Sequence, residues 1–386
     1  MIDGKRFMVI AGESSGDFLA AELIRAIQTR SPNSTFFGAG GERMASVGAE
    51  VIVDMTRHSV IGIWEAILNY TKFKRLFNQL IRLAFERKPD CIICVDFSGF
   101  NRRFARKIRK DLIFCRELYP HWTPRIIQLV SPQVWASRPG RAKTLAEDLD
   151  LLLSIIPFEK TWYAKHTPRL HVEFVGNPLI DRHANIAVSS RPSPLPLISL
   201  LPGSREAEFT RHLPVMIGAV KKIRNVRPVQ FSLVLQNAAW IAEAKRLGAT
   251  IENGIEIQTG TVAESLRHSQ LAIAATGTVT LECALFGVPT VCMYKTSWTT
   301  YQVAKRIISV QYLAMPNLLA NEELFPEFVQ NRATADNISR AALELLADVQ
   351  RCDQIRTKLK AVVESLGSPG ASGRAADAVL KLFKTS

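Results

Sequence analysis

Two acids in this sequence stand where a hydroxyl proton could be taken. Asp96 ends the apolar run of DCIICVDFSGF, residues 90–100, so it sits where a buried strand gives way to a helix. Partial burial there would suit a carboxylate to general-base work. Glu13 belongs to AGESSGD, residues 11–17, in which Gly12 and Gly16 permit tight bending and Ser14 and Ser15 offer hydroxyls at a helix start. That loop lacks the GxGxxG fingerprint and the Walker GK[ST], and Glu13 and Asp17 make it poor for phosphate. It suits a hydroxyl-bearing ligand such as a sugar, or a capped helix with Asp17 in its first turn. Two other turns favour anions. Pro202-Gly203-Ser204-Arg205 closes a strand and opens a helix, a geometry suited to pyrophosphate. Thr276-Gly277-Thr278 follows the small apolar run LAIAA, with Thr278 placed to cap a helix and Glu282 one turn in, within reach of a ribose. That second turn equally suits a plain buried strand–helix corner.

The remaining signals are less sharp. Arg102, Arg103, Arg106, Lys107, Arg109 and Lys110 form a basic run after Asp96. It reads as a solvated helix face, or as a seat for a phosphorylated substrate or anionic lipid heads. SPQVWASRPGR, residues 131–141, joins prolines to Trp135, Arg138 and Arg141, and fits a polar-ligand loop as well as a packed one. The seven histidines include no pair at i, i+4, so no metal site is expected. Cys91-x-x-Cys94 lies inside an apolar strand and reads as core filler of a reduced protein.

These residues need elements to hold them. The chain has 386 residues, 47% of them hydrophobic and 22% charged, which suits two globular domains. The net charge of +14 calls for anionic company: phosphorylated substrates, a membrane face or nucleic acid. Nucleic acid is the weakest of these, because the basic residues are not interleaved with stacking aromatics. Strand, Gly-rich turn and helix alternate along the first half, which predicts a parallel sheet with helices on both faces. HANIAVSSRPSPLPLIS reads as a linker, and a second series of the same kind follows. The expected boundaries are 1–183 for the first domain, 184–197 for the linker, 198–365 for the second domain and 366–386 for a terminal helix. Two doubly wound, Rossmann-like α/β domains facing each other would bring their strand-end loops across a shared cleft. Residues 59–88 are greasy and flanked by basic residues, and their second half, LFNQLIRLAF, reads as a core-packed helix. Ile61, Ile63, Trp64, Ile67 and Leu68 read as a membrane-dipping face. The N-terminus reads as lacking a signal peptide, and no run reaches the length of a membrane span, which predicts a cytoplasmic protein.

Together the motifs resemble the lipid-A-disaccharide synthases, glycosyltransferases with the two-domain B-type (GT-B) fold. The stretches that carry the resemblance are AGESSGD, FFGAGGERM (36–44), DFSGFNRRFA (96–105), SPQVWASRPGR, LLPGSREAE (200–208), ATGTVTLECALFGVPTV (275–291) and PNLLA (316–320). They span nearly the whole chain. One departure is Ser137, where the family usually carries a second aromatic after VWA. The resemblance implies an inverting transfer from UDP-2,3-diacylglucosamine to 2,3-diacylglucosamine 1-phosphate, with Asp96, or else Glu13, as base and no metal or cofactor. It implies a donor site of Gly203, Ser204, Arg205, Thr276, Gly277, Thr278 and Thr280, with Glu282 on the ribose and Asn317 nearby. It implies an acceptor side holding Ser14, Ser15, Asn101 and Arg102, on the cytoplasmic face of the bacterial inner membrane. It also suggests a homodimer, with GRAADAVLKLF exchanged between subunits or crossing back onto the first domain. The rival readings are a related UDP-sugar transferase with a polyprenyl-linked acceptor, a UDP-sugar epimerase, and a non-catalytic binder of nucleotide sugars or anionic lipids.

Overall fold

The computed structural model describes residues 4–55, 70–183, 195–235 and 237–384. The chain divides into two compact units, residues 1–184 with 366–386, and residues 185–365.

The first unit is built on a parallel sheet of order β3-β2-β1-β4-β5-β6-β7. Its strands are β1 (Arg6–Ala11), β2 (Thr35–Gly40), β3 (Glu50–Asp54), β4 (Cys91–Val95), β5 (Arg125–Leu129), β6 (Leu151–Ser154) and β7 (Val172–Phe174). Both faces are covered, so the strands read as continuous apolar runs. In β1 the period of two sends Phe7, Val9 and Ala11 to one core, and Met8 and Ile10 to the other. The first core takes the helix Ser14–Arg30 together with the last helix, Ala371–Lys381. That last helix packs on the first unit of its own chain. Asp377 pairs with Arg30, and the Asp181 carboxylate accepts from the amides of Gly370 and Ala371 and so caps it. The second core takes the helices Tyr70–Arg87 and Ser98–Phe114.

The second unit repeats the plan with the order β10-β9-β8-β11-β12-β13. Its strands are β8 (Leu197–Leu201), β9 (Gln230–Leu235), β10 (Ile255–Thr259), β11 (Leu271–Ala275), β12 (Thr290–Tyr294) and β13 (Glu327–Val329). The linker expected through 197 ends sooner, because Leu197 already opens β8 and its amide donates to Gln270 Oε1 at 2.6 Å.

In each sheet the strand order reverses direction once, between β1 and β4 and between β8 and β11. At such a reversal the following connections run to opposite faces and leave a crevice at the strands' carboxyl ends. Ala11 pairs with Val95, and Leu201 with Ala274, so both pairs of strands end level. AGESSGD and DFSGF therefore emerge side by side in one unit, and PGSR and TGT side by side in the other.

All six cysteines are free. Cys91 and Cys94 are fully buried in β4, and burial pushes the Cys94 thiol up to about 12, which suits inert core residues.

Candidate active site

At the first reversal, β1 runs into Gly12 and the helix Ser14–Arg30. A Cβ on Gly12 would lie 2.2 Å from the Phe97 ring, so this glycine admits a neighbouring side chain from the next loop. Asp17 is buried and reaches the carboxyl end of β2. Its carboxylate accepts from the amides of Gly41 (2.7 Å), Arg43 (3.0 Å) and Met44 (3.2 Å). It thus caps the short helix Glu42–Ser46 from a distance and ties AGESSGD to FFGAGGERM. Asp17 is therefore committed to the helix Glu42–Ser46, and Glu13 is the acid left half-buried in the loop itself. Glu13 is half-buried at the helix N-cap, and Ser14 and Ser15 are exposed beside it.

Asp96 and Phe97 both have left-handed backbones, with φ of 47° and 42°. Non-glycine residues in that region cost about 1–3 kcal/mol each, and persist only where the surroundings impose them. Here two buried amides do so. Asn101 Nδ2 donates to Asp96 O at 2.9 Å, and Gln128 Nε2 donates to the same oxygen at 3.0 Å. Gln128 also reaches the carbonyl of Val130 at 3.1 Å, a third left-handed residue (φ 67°) at the end of the adjacent strand. The Asp96 amide donates to Leu129 O at 2.9 Å. The result is a rigid elbow with a half-buried acid at its apex. Asn101 is fully buried and positions the elbow from behind.

At the second reversal, Gly203 takes a φ of +114°, and Ser204 and Arg205 are exposed at the start of the helix Glu206–Arg224. His212, fully buried on that helix, holds the turn. Its Nδ1–H donates to Pro202 O at 2.7 Å, and its Nε2 accepts from the Lys295 amide at 2.9 Å, an assignment set by the hydrogen-bond network. Burial lowers its pKa, in keeping with a neutral ring. Gly277 (φ +136°) and Thr278 are exposed, and beyond its two chain neighbours nothing lies within 4 Å of a Cβ built on Gly277. The helix that follows is Val279–Leu285. Thr278 stands at its N-cap but its side chain makes no cap bond. Thr280 ties the turn instead, donating to Gly277 O at 2.7 Å and accepting from the Met315 amide at 3.3 Å. Thr280 and Asn317 are fully buried. Asn317 donates to Phe325 O and Glu327 Oε1, both at 2.7 Å, and accepts from the amides of Leu324 and Phe325. These two residues shape the turn from inside. Gly203, Ser204, Arg205, Thr276, Gly277 and Thr278 remain at the surface, with Glu282 half-buried behind them.

A family model described as lipid-A-disaccharide synthetase matches residues 7–382. The chain belongs to the lipid-A-disaccharide synthase family. A relative from Geobacter sulfurreducens, "Lipid-A-disaccharide synthase", is 34% identical over 98% of this chain and 97% of its own. "Lipid-A-disaccharide synthase 1" of Legionella pneumophila (strain Paris) is 32% identical over 96% of each. Among solved structures, a putative UDP-N-acetylglucosamine 2-epimerase from Listeria monocytogenes superposes with TM-score 0.64 at 14% identity, covering 100% of this chain and 98% of its own. The calicheamicin glycosyltransferase CalG4 gives 0.60 at 16%, covering 100% and 99%. These likenesses show the GT-B fold, and the family makes the chain a glycosyltransferase of lipid A biosynthesis.

In this synthase-family chain, the SPQVWASRPGR motif rests on a buried polar network that sequence reasoning missed. Trp135 Nε1 donates to Glu159 Oε1 at 2.8 Å, and Glu159 Oε2 bonds Ser154 Oγ. Ser154 Oγ also meets the carbonyl of Ile156 at 2.8 Å and its amide at 3.2 Å. Ser154 Oγ–H donates to Glu159 Oε2 while the Ile156 carbonyl also accepts from the Glu159 amide at 3.2 Å, so the carboxyl is held inside the core by two side-chain donors. Burial accordingly pushes Glu159 up to about 7 from 4.5. The folded state then holds a proton that the unfolded chain releases. The Glu159 contribution to stability is fully present below pH 4.5 and is lost as pH rises through about 7. Thermal unfolding of Glu159→Gln should lose that slope between pH 5 and 7, and an unchanged slope would show that Glu159 titrates normally.

Ile61, Ile63, Trp64, Ile67 and Leu68 lie outside the described residues. Among the described residues no helix is long and apolar enough to cross a membrane, and no cluster has a metal-ligand set.

Proposed function

We propose that this chain joins UDP-2,3-diacylglucosamine to 2,3-diacylglucosamine 1-phosphate in one inverting displacement. The observation that carries this reading is the strained elbow that presents Asp96 at the strand reversal of the first unit. Asp96 takes the proton from the acceptor 6-hydroxyl as that oxygen attacks the donor's anomeric carbon. The bond from that carbon to the diphosphate breaks, UDP leaves with the electron pair, and the α linkage becomes a β-1,6 linkage. In the second unit, Gly203, Ser204 and Arg205 with Thr276–Thr278 neutralise the leaving diphosphate through amides, hydroxyls and a guanidinium. Glu282 takes the ribose. Glu13, Ser14 and Ser15 take hydroxyls of the acceptor sugar.

The acceptor is a lipid, and the +14 charge favours an anionic surface. Peripheral attachment to the cytoplasmic face of the inner membrane, through residues 61–73, belongs to the same reading, as does a homodimer. The test is direct: incubate the protein with both sugars in detergent micelles containing EDTA, and look for the acylated disaccharide by mass spectrometry. Product would establish the reaction and its independence of metal. UDP binding without product would move the assignment to another lipid-linked acceptor.

A further inference from the structure

Four arginines crowd together beside the Asp96 elbow. Arg102 and Arg103 lie in the second turn of the helix Ser98–Phe114, which begins at that elbow. Arg138 and Arg141 come from the SPQVWASRPGR loop and the start of the helix Arg141–Asp148, which packs against the first. They are close enough that, after burial, the charges of Arg102, Arg138 and Arg103 depress the pKa of Arg141. Their neighbour Arg106 is neutralised by Glu147 (2.9 Å) and Asp148 (3.2 Å). No carboxylate among the described residues pairs with the other four. Between the two helices lies a depression of about 160 Å³ lined by Arg102, Arg103, Arg106 and Thr144, with room for a phosphate group.

Like charges gathered without counter-charge repel one another, and an anion bound among them removes that cost. Guanidinium groups meet phosphate oxygens in bidentate, charge-assisted pairs. Arg102 and Arg103 follow Asp96 in the helix after β4, and Arg138 and Arg141 belong to the segment after β5, the strand paired with it. We infer that Arg102, Arg103, Arg138 and Arg141 form the binding site for the phosphate monoester on the anomeric carbon of the acceptor sugar. The inference rests on the acceptor assignment above and deepens it. The cluster would select a phosphorylated acceptor and set its sugar beside the base.

The experiment compares 2,3-diacylglucosamine 1-phosphate with 2,3-diacylglucosamine as acceptor, for the wild type and for the pairs Arg102→Gln/Arg141→Gln and Arg103→Gln/Arg138→Gln. Each loss of a guanidinium–phosphate pair should weaken binding by about tenfold or more. The kcat/KM preference for the phosphorylated acceptor should collapse by that factor through KM, the donor KM should hold within about twofold, and Arg→Lys variants should recover part of the loss. A preference retained in both pairs overturns the inference, whatever the overall rate. So does a retained preference accompanied by loss of binding to phosphatidylglycerol vesicles, which would assign the cluster to membrane phosphodiesters. Calorimetric titration of the phosphorylated acceptor separates the two readings. If the wild type binds it without turnover, the reaction assignment fails, while the phosphate site stands or falls on whether the variants lose that binding.

Discussion

Asp96→Asn should lower kcat by about 10²–10⁴-fold, the usual worth of a positioned general base, and leave UDP affinity unchanged. The substitution is a clean one for a structural reason. Asp96 sits at φ 47°, and asparagine tolerates that conformation at least as well as aspartate. The clamp from Asn101 and Gln128 holds the backbone carbonyl of residue 96, and the side-chain change leaves it in place. The elbow therefore survives while its carboxylate is lost. Steady-state kinetics with both sugars, alongside UDP titration, reads the two effects separately. Turnover near the wild-type rate would reduce Asp96 to a residue that orders its loop. Glu13, in the turn that leaves β1 beside β4, would then be the acid to change.

His212→Leu should have the largest effect on the second unit. The ring bridges the carbonyl of Pro202 and the amide of Lys295, and the three residues come from three separate elements. Leucine fills the space but leaves two buried backbone groups without partners, at about 1–3 kcal/mol each. We expect a loss of about 2–5 kcal/mol in stability, and weaker UDP binding as the Pro202–Arg205 turn loosens. His212→Gln, which keeps a donor and an acceptor, should fall between. A melting temperature equal to the wild type's would show that the bridge contributes nothing. The same ring sets a pH dependence with a definite sign. Its folded pKa lies below the ordinary 6.5, so the unfolded chain takes up a proton that the fold excludes. The contribution is intact above pH 6.5 and is lost as pH falls below it.

The pattern of strand, glycine turn and helix was legible because it is local. Hydrophobic runs of four to six residues, ended by Gly, Ser or Thr, mark buried parallel strands without any long-range information. The surface turns at Gly203–Arg205 and Thr276–Thr278 were legible for the same reason. The polar residues inside the motifs were not. Asp17, Asn101, Thr280 and Asn317 have the composition of ligand contacts, yet each is buried and bonded to backbone. Gln128 and His212 gave no signal beyond a lone polar residue in an apolar strand and on an apolar helix face.

By itself the sequence determined the family, the α/β plan and the identity of the turns that carry chemistry. Those depend on residue types at short spacing. Tertiary structure alone decided which polar side chains face outward, which arginines crowd together and which acid stands on a strained backbone. Each of those outcomes turns on a partner far away in sequence: Gly41 for Asp17, Gln128 for Asp96, Lys295 for His212. A buried polar group must find a hydrogen-bond partner wherever the fold brings one, and only the assembled sheet brings these within 3 Å.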